Sequence, residues 1–87
     1  MSSDQKISIT LSHWERHLIL KYGDPWGSLK DQLTEFRNQK RDRVLEFSSS
    51  DLDMVTGELS RAINHGEAEG YEEELDDIAT LLEDYMK

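Results

Sequence analysis

His13 and His17 are four residues apart, so on a helix they would share one face, the spacing at which two imidazoles can grip a metal ion. The run reads His13-Trp14-Glu15-Arg16-His17, and the glutamate does not directly follow the first histidine as it does in the zinc-protease signature. Only His65 or a distant acid could supply a third ligand, so both histidines are expected to be ordinary, partly exposed helix residues. Glu72, Glu73, Glu74, Asp76 and Asp77 are dense enough to suggest a divalent cation. They lack the alternating acids, central glycine and terminal glutamate of a calcium loop, and a helix would turn them away from one another. No metal and no cofactor is expected.

Catalysis finds little support. Acid/base chemistry needs a carboxylate whose pKa is shifted by burial or by a facing partner, and no pair here is marked for that. Ser12 and Ser48 to Ser50 stand before helical patterns and read as caps rather than nucleophiles. The five glycines, at 23, 27, 57, 66 and 70, are isolated, so no phosphate-cradling loop exists. The chain is expected not to be an enzyme.

Two features remain that could bind a partner. Glu69, Glu72, Glu73, Asp76, Asp77, Glu83 and Asp84 crowd the last helical pattern. The pairs Glu69/Glu73, Glu72/Asp76 and Glu73/Asp77 would each cost ~0.2–0.5 kcal/mol as like charges four apart on an exposed helix. Such a face either docks on a basic surface or keeps an acidic protein soluble. Trp26, in Tyr22-Gly23-Asp24-Pro25-Trp26-Gly27, either anchors an interface or closes the end of a small core, and Trp14 is expected in the core.

The elements that must carry these groups follow from periodicity. Ile7, Ile9 and Leu11 alternate with polar residues as a half-buried strand does. Ser12-His13-Trp14-Glu15 is a capping box opening a helix to about Tyr22, closed by Gly23 in the left-handed conformation. Asp24-Pro25 predicts an N-cap and first residue of a second helix, whose stripe is Trp26, Leu29, Leu33 and Phe36. Arg43 to Phe47 reads as a second strand. Ser48 to Asp53 caps a third helix with Leu52, Val55, Leu59 and Ala62 or Ile63 inward, ended by Asn64-His65-Gly66. The last helix is expected from near Glu67, burying Tyr71, Leu75, Ile78, Leu82 and Tyr85, with Leu81 and Met86 widening the stripe.

The expected fold is therefore α+β and mainly helical, a single domain over 1–87 in the order strand-helix-helix-strand-helix-helix, behind a disordered tail at 1–5. A shift of 38 residues lays Ile9 to Glu15 on Phe47 to Asp53, which raises an internal duplication with half-repeats 6–40 and 43–87. Two short strands alone are marginal, so they must lean on helices or find another strand, and an open edge would favour a homodimer.

Composition sets the function class. A chain of 87 residues buries a thin core and has little room to enclose a substrate. The absence of cysteine fits a reducing compartment, and no apolar run suits a signal peptide or membrane span, so a cytoplasmic location is expected. The net charge is −9, distributed as +2 over residues 1–43 and −11 over 44–87. That field repels nucleic acid and anionic membranes and attracts basic proteins. The expectation is a protein-binding module whose acidic helical face docks on a basic partner, as an inhibitor of the immunity-protein, antitoxin or nucleic-acid-mimic type. Size, acidity and helical content are those of the colicin nuclease immunity proteins, but no copy of their interface segment is present. The alternative is a structural or oligomerisation module forming a homodimer.

Overall fold

The computed structural model describes residues 6–86. The sequence order is realised: strand β1 (Ile7–Leu11), helix α1 (His13–Tyr22), helix α2 (Gly27–Glu35), strand β2 (Arg43–Phe47), helix α3 (Ser49–Asn64) and helix α4 (Glu72–Asp84). The expected N-terminal tail lies outside the described residues.

Alternation places Ile9 and Leu11 of β1, and Leu45 and Phe47 of β2, on the buried face of a two-stranded antiparallel sheet. Arg43, opposite Leu11, turns its guanidinium over the Phe36 ring at 4.4 Å from the centroid. Beneath the sheet the core gathers Leu18 and Ile19 of α1, Leu29 and Leu33 of α2, the stripe Leu52, Val55, Leu59 and Ala62 of α3, and Leu75, Ile78, Ala79 and Leu82 of α4.

The strand and the capped helix start recur at a spacing of 36 residues, where the sequence alignment used 38, and the ends of α1 and α3 and the starts of α2 and α4 do not share it. Strand starts Ile7 and Arg43, N-caps Ser12 and Ser48, and capping-box acids Glu15 and Asp51 all share that spacing. The 38-residue alignment placed Ser12 on Ser50, but the hydroxyl that caps α3 is that of Ser48, accepting from Asp51 N at 3.0 Å. Register agrees with the shorter offset. The strands pair about Ile9 and Leu45, themselves 36 apart, so the sheet has an approximate two-fold axis through that pair.

Three other expectations need correction. Gly23 does not adopt a positive φ; it sits at −84°, and Asp24 takes the left-handed conformation at 48°. The glycine is required by close approach instead, because a Cβ there would lie 2.8 Å from Ile19 O and 3.1 Å from Val55 Cγ1. Accordingly Asp24-Pro25 does not start α2. Asp24 and Gly27 both have positive φ, and Trp26 between them is an extended N-cap without a side-chain bond. Lastly, α4 begins at Glu72 rather than near Glu67. A Schellman closure, with Glu67 N donating to Ala62 O at 2.8 Å, is followed by left-handed Glu69 and Gly70, and buried Ala68 plugs this loop into the core.

The sheet edges differ. The Gln32 side chain of α2 accepts from Glu46 N at 2.9 Å and donates to Glu46 O at 3.0 Å, standing in for a neighbouring strand on β2. Since Glu46 turns its backbone groups away from β1, Ser8 opposite it turns its own outward too, as does Thr10 opposite Val44. Nothing among the described residues bonds to these groups of Ser8 and Thr10.

Candidate partner-binding surface

Helix α4 owes its orientation to its apolar stripe. With Leu75, Ile78, Ala79 and Leu82 packed inward and Leu81 half-buried against the core, the acids are left to solvent, and Glu72, Glu73, Glu74, Asp76, Asp77, Glu83 and Asp84 are all exposed. At 100° per residue these acids divide: Glu74 lies on one flank, Glu72, Asp76 and Glu83 on the other, and Glu73, Asp77 and Asp84 point outward, with Asp77 on the Glu74 side of that outer face. Glu72, Glu73, Glu74, Asp76 and Asp77 form no ion pair with any described residue.

Helix physics explains only part of this charge. Tyr71 caps α4 with no side-chain bond, so Glu72, Glu73 and Glu74 in the first turn compensate the positive end of the helix dipole. Glu83 and Asp84 sit at the opposite end, where the dipole disfavours anions, and the last turn of α4 holds no basic residue.

Two of the predicted binding residues lie elsewhere. Glu69 is in the loop before α4, at φ 55°, with its carboxylate 3.3 Å from Lys21 Nζ, so it forms no helical pair with Glu73. This hydrogen bond and charge raise the Lys21 pKa. Trp26 is 62% exposed, not a core plug, but its indole N–H donates to Met54 Sδ at 2.7 Å across the N-terminal ends of α2 and α3. The hollow it lines, shared with Lys6, Ser48 and Asp51, contains no residue of α4.

The aromatic residue that does join the acidic helix is Trp14, expected in the core and found 43% exposed. Its ring stacks on His17, with centroids 5.6 Å apart and planes at 20°, and meets Tyr71 edge-on at 5.3 Å and 71°. Together with Ser12, Glu15, Glu74, Asp77 and Ile78 it lines a groove of about 230 Å³ between α1 and α4. The histidines thus have separate roles: His17 supports Trp14, while His13 donates from Nε2 to Arg37 O at 3.1 Å. Tyr85 and Met86, assigned to the stripe of the last helix, are exposed.

Arg16 was not singled out by sequence reasoning. It is 2% exposed, and its two terminal nitrogens donate to Leu11 O (2.8 Å), Arg41 O (3.0 Å), Phe36 O (3.3 Å) and Gln39 O (2.5 Å). The guanidinium therefore pins the segment between α2 and β2 against the end of β1. Burial lowers its pKa, with nearby Asp42 opposing the shift. Its spacing was the available signal, since Arg16 lies three before Ile19 and seven before Gly23, both inward.

No described helix is long and apolar enough to cross a membrane. Scans against protein-family models, curated proteins and solved structures each return no match.

Proposed function

We propose that this protein is a binding module rather than an enzyme, and that the outer face of α4 docks on a basic protein, in the manner of an inhibitor covering a cationic cleft. The observation that carries this reading is the acidity of α4 beyond its first turn. Asp76, Asp77 and Glu83 are exposed at positions where neither capping nor the helix dipole rewards a negative charge. A net charge of −9 adds long-range attraction toward a cationic partner. The contact surface comprises Glu72, Glu73, Asp76, Asp77, Glu83 and Asp84, with Glu74 added. Glu69 and Trp26 are dropped, because one belongs to the preceding loop and the other to a different hollow.

The test is affinity capture from the native host at low salt, in parallel with the Glu73→Gln/Asp76→Asn/Asp77→Asn variant. A basic protein retained by the wild type, released by salt and missed by the variant supports the reading. Equal retention by both forms removes α4 from the interface.

A homodimer through β1 is the second reading, favoured by the outward backbone groups of Ser8 and Thr10 that no described residue engages. Sedimentation at micromolar concentration decides it: a monomer at both low and high salt rules the dimer out.

A further inference from the structure

We infer that the groove between α1 and α4 is the anchor of this interface and receives an arginine side chain of the basic partner. The inference rests on the binding role proposed above and narrows it to one flank of α4. Trp14 presents a half-open indole at the groove beside Glu15, Glu74 and Asp77, and it is fixed in place by His17 and Tyr71, so its face is pre-set for a cation brought in by the acids. Glu15 is likewise held, because its Oε1 accepts from Ser12 N at 2.8 Å. Glu74 and Asp77, three apart on α4, complete the rim, and buried Ile78 contributes an apolar wall.

This combination fits a guanidinium better than an ammonium. A planar cation can lie against an indole while its N–H edge meets carboxylates, and its methylene stem finds an apolar wall. An ammonium is more strongly hydrated and offers no plane to stack. On the opposite flank Glu72, Asp76 and Glu83 are exposed carboxylates, and none of them lines this groove, so there they supply attraction without this seat.

The probes are hexa-arginine and hexa-lysine peptides, titrated at low salt into Trp26→Phe protein so that Trp14 alone reports by indole emission. The indole N–H resonance of Trp14 and the Tyr71 signals locate the contact by NMR. Hexa-arginine should bind at least about threefold tighter than hexa-lysine and shift both aromatic residues. Glu74→Gln/Asp77→Asn, at two exposed positions that leave the fold intact, should weaken it roughly tenfold. Trp14→Leu, which lacks the reporter indole and is therefore followed by the NMR shifts of the α4 amides, should erase the arginine preference while retaining binding to hexa-lysine.

If both peptides bind equally and the shifts fall on Glu72, Asp76 and Glu83 with Trp14 silent, the groove is not the anchor, while the acidic-face reading stands. If neither peptide binds at low salt, both readings fall.

Discussion

Arg16→Met keeps most of the aliphatic bulk of a side chain buried beneath the segment between α2 and β2 and removes its hydrogen-bond donors. Four carbonyls then lose a partner. Loss at Leu11 O, which is buried, should cost ~1–3 kcal/mol, and at Gln39 O and Arg41 O, which are part-buried, ~0.5–1.5 each, while Phe36 O keeps its bond from Gln39 N at 3.0 Å. Against this, the folded state no longer holds a desolvated guanidinium, the effect that lowers the Arg16 pKa, and that relief is itself several kcal/mol in size. A net loss of about 2–4 kcal/mol follows. Total stability for a chain of this length is roughly 4–13 kcal/mol, so the change is a large fraction of it. Urea unfolding followed by circular dichroism measures it as a lower midpoint at unchanged slope. Arg16→Lys keeps the charge but supplies at most three donors from a single nitrogen, so it should fall between wild type and Arg16→Met. A loss below about 1 kcal/mol for Arg16→Met, or wild-type stability for Arg16→Lys, would refute the claim that the guanidinium fork pins this segment.

Gly23→Ala should destabilise by ~1–3 kcal/mol in the same assay, because its Cβ meets Ile19 O and Val55 although its φ suits alanine. Leu75→Ala should cost ~2–5 kcal/mol, since Leu75 is fully buried in the α3–α4 seam. The Lys21–Glu69 pair gives a pH signature. The Lys21 pKa is raised in the fold, so the pair contributes fully below the ordinary lysine value of 10.5 and is lost as pH rises through the higher folded value. Wild-type stability should therefore fall more steeply above about pH 10.5 than that of Lys21→Met, and parallel curves would show that the pair contributes nothing measurable.

Element order was legible because capping chemistry and periodicity agree. Ser12 with Glu15 and Ser48 with Asp51 mark two helix starts without ambiguity of type, and the stripes of α3 and α4 keep helical spacing. The offset between the halves was less legible because three consecutive serines precede two acids, and both Ser48/Asp51 and Ser50/Asp53 fit a capping box; packing selects the first. Tertiary contact also overrode local rules at Gly23, where steric closeness to Ile19 and Val55 decides, and at 67–71, where burial of Ala68 holds a loop in residues that read as a helix start. The acids of α4 were visible as a set, but not their division into two flanks. Trp14 was misjudged because its spacing suits a core position, and only the placement of α4 beside α1 reveals an open ring over a groove. A buried arginine satisfied by main-chain carbonyls leaves no motif, since its acceptors belong to any sequence.

The measurement that bears most directly on the central claim is the association rate with the captured basic partner as a function of ionic strength, for the wild type and for Glu73→Gln/Asp76→Asn/Asp77→Asn. If α4 is the docking face, the wild-type rate should fall at least about tenfold between roughly 10 and 150 mM salt while dissociation changes little, and the variant should start slower with a flatter slope. A rate insensitive to salt, or slopes that coincide for the two proteins, would contradict the assignment of α4 as the partner-binding surface.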